Sequence, residues 1–440
     1  MTSSTSGQAL APVSPGRRIA ILDILRGIAL LGVAVANVWL WFSGVAFLFP
    51  EYHAEVARLT LDAVVFNGIA LLVSGKAATT FAFLFGLGFA LQMIRAQEKG
   101  LEGVSVYRRR LLILLLIGLA HGFLLWYGDI LAAYAALGFV LILFRNRSDR
   151  TVLAWAVVFL AVIPLAASAL PLVMSAWGEG TAPPDAREEM AEFMASTLAA
   201  FQGGSYQEIV AANAGMMRFM YLSPKALWLF LVMGTFLLGL WAGRRRFFEN
   251  VEDHRRGLRR LAAWGIGVGL VGSSATVALR VQVPPEEFAA RPDLLLLGSV
   301  LYTVGTFPLA FGYIAAATLL ARRAWWRKVL GSFAPVGRMA LTNYLMQSVL
   351  FIWIFYGFGA GLIGRVGPAA ALGLTLLAFG LQMIWSPLWL SRFRFGPAEW
   401  AWRSITYRKL QPMRVAPDVA APGPPGPPAG AGAGLGPPHS

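Results

Sequence analysis

The chain has 440 residues, of which 57% are hydrophobic and only 13% charged, and its formal net charge is +15. A soluble protein of this length has about 25% charged residues, so this composition and a mean hydropathy of +0.63 exclude an ordinary soluble domain. The chain contains no cysteine, which excludes disulfides, thiol nucleophiles and cysteine-ligated metals.

The apolar residues occur in runs of about 17–25, the length that a helix needs to cross a bilayer core of roughly 30 Å. In chain order, we predict spans at roughly 19–41, 77–94, 111–127, 130–144, 151–174, 225–243, 261–280, 295–320, 339–358 and 370–390. The sequence therefore predicts an all-α, polytopic transmembrane helix bundle of about ten spans.

Residues 57–75 are apolar enough for an eleventh span, but a crossing there would reverse the side of every later loop. We therefore predict an interfacial or re-entrant helix. Asp62, Asn67 and Lys76 favour this interpretation, because all three side chains prefer water or protein to lipid.

The orientation follows from the basic residues, which crowd the cytoplasmic loops of membrane proteins. With the N-terminus inside, 28 of the 37 Lys and Arg fall on the cytoplasmic side and 8 on the other. We therefore expect both termini in the cytoplasm. The basic inner rim is explained by contact with anionic membrane lipids, so no nucleic-acid partner is expected.

The integral membrane domain is predicted to cover residues 17–410. A disordered N-terminal tail at 1–16 precedes it, and this tail lacks the apolar region of a signal peptide. A Pro/Gly-rich tail at 411–440 follows it and is predicted to be disordered. The largest extracytoplasmic loop, 175–224, is a candidate for a small cap.

The first span contains three polar residues. Asp23 and Arg26 are three residues apart and share a helix face. They form either a self-neutralising pair, with Arg26 reaching the lipid headgroups, or a site in which Asp23 holds Arg26 toward an anionic group. Asn37 lies in the outer half of the span, where an interhelical hydrogen bond and a site role are both open.

His121 and Asp129 lie in the apolar stretch 111–139. His121 is 11 residues past Arg110 and therefore about 16 Å deep, which makes it the one histidine predicted inside the membrane. No histidine-rich metal site is expected. Histidine is the usual general base at neutral pH. Asp129 is predicted to cap the next span and also to orient His121.

Three more residues have alternative interpretations. Lys76 begins the second span and is either a simple interfacial lysine or part of a site. Glu399 and Arg403 lie four residues apart in a cytoplasmic amphipathic segment, where they form either a structural salt bridge or part of a site.

Several stretches of the sequence carry a resemblance to a known family. They are "LDILRGIALLG" with Asn37, "GK" with "FAFLFGLG", "RRLLILLLIGLAHG" with "GDILAAYAALG", "VGRMALTNYLMQS" and "FRFGPAEWAWR". On these stretches the chain resembles the YeiB-like family of bacterial inner-membrane proteins, which implies a location in the bacterial inner (cytoplasmic) membrane. Tyr134, Arg338 and Asn343 lie in the matching stretches and are candidates for substrate binding.

The Asp-x-x-Arg-Gly first span is also similar to that of membrane acyltransferases such as heparan-alpha-glucosaminide N-acetyltransferase. That similarity implies transfer of an acyl group from acyl-CoA, as a co-substrate and not a bound cofactor, to a glycan or lipid acceptor. The base in those enzymes is a histidine near the first span or in the loop after it, where this chain has Asn37 or His53. Assigning His121 as the base therefore rests on chemistry.

Three functions remain open from the sequence. The first is a transmembrane acyltransferase with His121 as base, Asp129 as its partner, and Asn37 or Lys76 as oxyanion donor. The second is a transporter or flippase of a small or lipid-linked substrate. The third is a structural or sensory protein whose polar residues only join helices. The acyl group, the acceptor and the oligomeric state, for which a homodimer is one candidate, are left open.

Overall fold

The structure is a computed structural model that describes residues 19–48, 60–100, 103–176 and 184–415. The predicted N-terminal tail, His53 and residues 416–440 of the predicted C-terminal tail lie outside the described residues. The described residues form helices, turns and one isolated antiparallel bridge, between Phe393 and Arg414.

The α-helices follow one another through short connections. In chain order they are α1 (Ala20–Asn37), α2 (Leu61–Leu72), α3 (Lys76–Glu98), α4 (Gly103–Leu124), α5 (Leu131–Ile142), α6 (Asp149–Val157), α7 (Ile163–Ala176), α8 (Pro184–Gly203), α9 (Tyr206–Leu222), α10 (Trp228–Arg244), α11 (Arg255–Gln282), α12 (Pro285–Ala290), α13 (Pro292–Leu320), α14 (Ala324–Gly331), α15 (Ala334–Arg338), α16 (Ala340–Phe355), α17 (Pro368–Arg392) and α18 (Pro397–Tyr407). A π-helical turn, Val38–Phe42, extends α1, and a second, Val158–Val162, joins α6 to α7.

Each of the ten predicted spans overlaps a helix, but the helices differ in length. Within the described ranges, six stretches are long and apolar enough to cross a membrane: Ala20–Phe42, Leu61–Glu98, Asp149–Met174, Arg255–Gln282, Pro292–Leu320 and Pro368–Arg392. Helices α5, α10 and α16 are apolar but shorter. The chain is thus an all-α membrane protein with six candidate spans, and the count of ten stays a prediction.

The segment predicted as an interfacial or re-entrant helix contains α2. Thr60 caps this helix, because its Oγ1 accepts a hydrogen bond from Ala63 N at 3.2 Å. Its 12 residues extend about 18 Å, too short to cross a core of roughly 30 Å alone. The chain then turns at Gly75, whose φ of +77° favours glycine, before α3 begins. Asp62 finds a protein partner, accepting from Ala369 N at 2.8 Å.

Small residues let several helix pairs pack closely. On α11, Gly265, Gly269 and Gly272 face the backbone of α13, where an added Cβ would meet main-chain atoms of Pro308, Leu309 or Gly305. Small residues at such contacts are typical of membrane helices. The hydrophobic effect does not drive helix association in lipid, so close van der Waals packing stabilises it instead. In the same way Gly27 of α1 and Gly337 of α15 bring these two helices into backbone contact.

The predicted extracytoplasmic loop contains two helices, α8 and α9. A reciprocal capping box between Ser205 and Glu208 starts α9. Phe201 of α8 stacks on Tyr127 and on Tyr356, with ring centroids 5.6 and 4.6 Å apart. The two helices therefore cover the end of the bundle near the α4–α5 turn.

Residues 411–415 are predicted to belong to the disordered C-terminal tail, but they run alongside the end of α17. Arg394 N donates to Met413 O at 2.8 Å, and Val415 N donates to Arg392 O at 3.1 Å. This return of the chain holds α18 against the end of α17.

Candidate functional site

A buried histidine–aspartate pair lies where α4 turns into α5. His121 Nδ1 is 2.9 Å from Asp129 Oδ2, and the side chains are 1% and 0% exposed. A carboxylate only accepts hydrogen bonds, so Nδ1 carries the proton of a neutral His121 ring and Nε2 keeps its lone pair. Nε2 is buried and has no hydrogen-bond partner among the described residues. The pair has the arrangement of a general base oriented by a carboxylate.

The carboxylate of Asp129 has a second task in the same turn. Its Oδ1 accepts from Ala132 N at 2.7 Å, so Asp129 caps the first turn of α5 from one residue before the N-cap position, which is Ile130 and not Asp129 as the sequence predicts. Its backbone carbonyl accepts from the Tyr221 hydroxyl at 2.6 Å. Gly118 permits this close turn, because an added Cβ would lie 2.8 Å from Oδ1 of Asp129. Asp129 is therefore fixed from three directions and cannot rotate away from His121.

A cavity of about 790 Å³ lies between α1, α3, α4, α5, α15, α16 and α18. Its lining follows α3 from Phe81 to Glu98, about 26 Å at 1.5 Å per residue. Small-molecule sites measure roughly 300–1,000 Å³, so this cavity has room for an extended molecule.

The cavity is polar at one end and apolar at the other. The charged lining residues are Asp23, Arg26, Arg95, Glu98, Lys99, Arg110, Arg338, Glu399 and Arg403. The lining residues of the other end are Val33, Phe81, Ile130, Leu131, Tyr134 and Tyr344. Basic side chains outnumber acidic ones at the charged end, so the cavity suits an amphipathic molecule with an anionic head.

Arg110 is held by two side chains at the charged end. Its guanidinium lies 4.3 Å from the centre of the Trp402 ring, and its Nη1 donates to Gln92 Oε1 at 3.2 Å. Trp402 in turn donates its Nε1–H to the Arg110 carbonyl at 2.9 Å. A guanidinium fixed in this way presents its remaining N–H groups in a set direction, which suits phosphate.

The Asp23–Arg26 pair is formed on the wall of the same cavity. Arg26 Nη1 lies 2.7 Å from Asp23 Oδ1, and their side chains are 32% and 13% exposed. Both residues line the cavity. Asp23 and Arg26 therefore form the self-neutralising pair. Arg26 also lines the large cavity, which an anion can enter.

Glu399 joins α18 to the start of α16. It is buried, and its Oε1 accepts from Leu341 N at 2.7 Å and from Thr342 N at 3.2 Å. Burial raises the pKa of the Glu399 carboxyl, and the hydrogen bonds from Thr342 oppose that shift. Glu399 thus caps a helix N-terminus at the cavity wall, beside Arg403, which also lines the cavity.

Two further predicted residues line the cavity. Tyr134 is buried near the apolar end, and its hydroxyl donates to Ala78 O at 3.2 Å. Arg338, at the end of α15, is exposed and lies at the charged end. Together with Asp23, Arg26, Glu399 and Arg403, these residues form one continuous lining.

Three predicted residues lie elsewhere. Asn343 is fully buried and donates to Val336 O at 3.2 Å and to Ser386 Oγ at 3.0 Å, so it joins α16 to α15 and α17. Asn37 is the last residue of α1, where the π-helical turn begins. Lys76 faces a separate, smaller cavity. None of the three is among the described residues that line the large cavity.

A single side chain, that of Tyr344, lies between His121 and the apolar end of the large cavity. His121 does not line the cavity, but Tyr344 does, and the two rings have centroids 5.3 Å apart. The Tyr344 hydroxyl makes only long hydrogen bonds, accepting from Ile130 N at 3.4 Å and donating to Gly128 O at 3.5 Å. Tyr344 therefore separates the cavity from His121.

The sequence interpretation missed Tyr344 and the individual role of Arg110. In the sequence, Arg110 serves only as one of many basic residues that set the orientation and as the reference for the depth of His121. Its contact with Trp402, 292 residues later on another helix, cannot be read from the chain. Tyr344 follows Asn343 in a matching stretch, but nothing local distinguishes it from a packing tyrosine. Among the described residues, no group of three or more His, Asp or Glu side chains could hold a metal ion.

Comparison with known proteins places the chain in a family. The family model described as "Protein of unknown function (DUF418)" matches residues 242–409, which include the Arg338, Glu399 and Arg403 part of the cavity wall. The chain is 34% identical to "Uncharacterized protein YxaH" of Bacillus subtilis (strain 168), over 92% of this chain and 98% of that relative. It is 28% identical to "Uncharacterized protein YeiB" of Escherichia coli (strain K12), over 89% of this chain and 97% of that relative. No solved structure matches. The chain therefore belongs to the YeiB-like family, which carries the DUF418 description.

Proposed function

We propose that the protein is a membrane acyltransferase, which moves an acyl group from acyl-CoA to a hydroxyl or amine acceptor of the cell envelope. One observation carries this proposal. A buried His–Asp pair with an unpartnered Nε2 lies beside the apolar end of a cavity whose other end is basic.

The two ends of the cavity fit the two ends of an acyl-CoA. The phosphates of CoA are anionic, and Arg26, Arg110 and Arg338 supply guanidinium groups at the charged end. The pantetheine arm and the acyl chain are long and mostly apolar, and the lining along α3 becomes apolar toward Phe81. In this orientation the thioester reaches the Tyr344 end.

The chemistry is a direct transfer with one base. His121 Nε2 takes the proton of the acceptor as its oxygen or nitrogen attacks the thioester carbonyl carbon. The tetrahedral oxyanion collapses, the C–S bond breaks, and the CoA thiolate takes the proton back from His121. Asp129 stays ionised throughout and stabilises the imidazolium. Each cycle therefore leaves the side chains as they began.

Tyr344 is proposed to donate a hydrogen bond to the oxyanion. Its side chain must also move for the substrate to reach His121. Its hydroxyl has only weak hydrogen bonds to give up, at 3.4 and 3.5 Å. Rotation of this side chain would open the cavity toward His121 and bring the O–H toward the developing oxyanion. The sequence assigned that donor to Asn37 or Lys76, and neither lines the cavity among the described residues.

The proposed topology has ten spans, with both termini in the cytoplasm of a bacterium and the bundle in its inner membrane. The 28:8 division of Lys and Arg supports this orientation. It directs the basic end of the cavity toward the cytoplasm, where acyl-CoA is made, and places His121 about 16 Å beyond Arg110.

A transporter or flippase for an amphipathic anion is the second candidate. The observation in its favour is that His121 does not line the cavity, since Tyr344 lies between them. A carrier needs the cavity but does not need the histidine to touch the substrate.

A doubly labelled donor separates the two candidates. Purified protein in liposomes receives a short-chain acyl-CoA with one isotope in the acyl group and another in the adenine, together with an envelope extract as acceptor. The transferase separates the two labels, with acyl label in the acceptor and adenine label in free CoA. Movement of both labels together across the membrane, without separation, would support the carrier and contradict the transferase.

A further inference from the structure

A second, small cavity lies where the turn between α2 and α3 meets α11 and α13. Its volume is about 30 Å³, and its lining includes Lys76, Ser273, Arg280, Tyr302 and Thr306. A cavity needs roughly 10–15 Å³ on this measure to hold one water molecule. This one therefore has room for a single small ion or one or two waters, and not for an organic substrate.

The charged side chains that line this cavity are basic. Lys76 and Arg280 both line it, and no described lining residue is acidic. Lys76 is only 4% exposed and donates from Nζ to Ala70 O at 3.1 Å, which is a neutral partner. Two like charges in a medium of low dielectric constant repel strongly.

The position of Lys76 adds to this imbalance. It is the first residue of α3, directly after Gly75. The N-terminus of a helix carries the positive end of the helix dipole, which favours an anion and disfavours a cation. An anion placed beside Lys76 would favour the charged form of this lysine.

A separate observation concerns Ser273 on α11. Its Oγ is buried and has no hydrogen-bond partner within the described part of the chain, and the residue is 3% exposed. A helical serine ordinarily satisfies itself by donating to the carbonyl four residues earlier, as Thr276 does in the same helix with Gly272 O at 2.8 Å. Ser273 lines the cavity, so its hydroxyl is available to a ligand inside it.

We propose that this cavity binds one small inorganic anion of halide size. Lys76 and Arg280 supply the charge, and Ser273 donates its O–H to the anion. The bound anion bridges the α2–α3 turn to α11, and it stabilises the fold by placing a negative charge beside Lys76. The site is separate from the large cavity, and the inference does not depend on acyl transfer.

The test is the thermal stability of the full-length protein in detergent with chloride or gluconate at constant ionic strength. Gluconate serves as the reference because it is far larger than the cavity. Ligand that binds only the folded protein stabilises it by mass action, and we expect chloride to raise the wild-type Tm by about 2–5 °C. The same Tm in both salts would mean that the cavity holds only water and would overturn the proposal.

Two variants locate the effect. Lys76→Met should lose the chloride shift and should be at least as stable as wild type in gluconate, because the repulsion with Arg280 is gone. Ser273→Ala, a smaller change that keeps the charge, should reduce the shift, and it carries the test if Lys76→Met does not fold. The exposed controls Lys328→Met and Ser391→Ala should retain the full shift. An equal chloride shift in all four variants would place the anion elsewhere and refute this site.

Discussion

Replacing Asp129 with asparagine should separate the two tasks of its carboxylate. Oδ1 accepts from Ala132 N at 2.7 Å, and Oδ2 faces His121 Nδ1 at 2.9 Å. Asparagine has one carbonyl oxygen, which can keep the cap, because Asn caps helices about as well as Asp. Its NH₂ group must then face Nδ1, which favours the tautomer with the proton on Nε2. His121 would stay in place but could no longer accept a proton at Nε2.

The magnitudes distinguish this variant from a simple truncation. Asp129→Asn keeps both hydrogen bonds in altered form, so the free energy of unfolding should change by less than about 1 kcal/mol. Asp129→Ala loses the cap, about 1 kcal/mol, and leaves a buried Nδ1–H unpaired, about 1–3 kcal/mol. It should therefore lose about 2–4 kcal/mol. Turnover should fall about 10²–10⁴-fold in both variants, the usual contribution of a general base.

The assay combines three readouts on the same preparations. SDS titration in mixed micelles gives the free energy of unfolding, ¹⁵N NMR of labelled histidine reports the His121 tautomer, and acyl transfer is normalised to folded protein. Near-normal turnover in Asp129→Asn with a changed tautomer would refute the reasoning about Nε2. Equal destabilisation of the asparagine and alanine variants would refute the assignment of Asp129 Oδ1 as the cap.

Reporter fusions after Ser148 and after Gly180 should give cytoplasmic and extracytoplasmic signals respectively, and the reverse pattern would contradict the proposed orientation. Arg26→Ala should reduce the yield of folded protein more than the double variant Asp23→Ala/Arg26→Ala, because the single change leaves a carboxylate unpaired. If Arg26 binds an anionic donor, the double variant should fold but be inactive, and full activity would remove Arg26 from the site. Burial raises the pKa of Glu399, so the folded protein holds that proton more tightly than the unfolded chain. The resulting stability is full below the unfolded pKa and is lost as pH rises through the folded pKa. Glu399→Gln can keep the hydrogen bonds to α16 and should flatten the fall of Tm with pH across the weakly acidic range. An unchanged slope in that variant would assign the fall to other groups.

The pairing of His121 with Asp129 was predictable because it is local. Eight residues separate the two, Gly128 precedes Asp129 in an evident turn, and an Asp before an apolar helix is a common cap. The same holds for Asp23 and Arg26, which are three residues apart on one helix. Interactions within one turn or one hairpin depend on backbone geometry that the sequence largely determines.

The shape of the large cavity was not predictable because it depends on how distant helices pack. Arg110 and Trp402 are far apart in the chain and meet only when α18 packs on α4. Lys76 was predicted to lie at a depth similar to that of Asp129. Its side chain lines the small cavity beside α11 and α13, and not the large cavity. Depth in the membrane follows from sequence position, whereas the direction in which a side chain faces follows from tertiary packing.

The most direct measurement of the central claim is acyl transfer by His121→Gln. Glutamine keeps a hydrogen-bonding side chain of similar reach but cannot act as a base at neutral pH. The matched control is His254→Gln, since the His254 ring packs at an angle against Phe247, with ring centroids 4.2 Å apart, and does not line the cavity. Labelled acyl-CoA is the donor, the envelope fraction is the acceptor, and both variants are normalised to folded protein. We expect transfer to fall about 10²–10⁴-fold in His121→Gln and to stay near the wild-type rate in His254→Gln. Near-normal transfer by folded His121→Gln would contradict the assignment of the His121–Asp129 pair as the reaction centre.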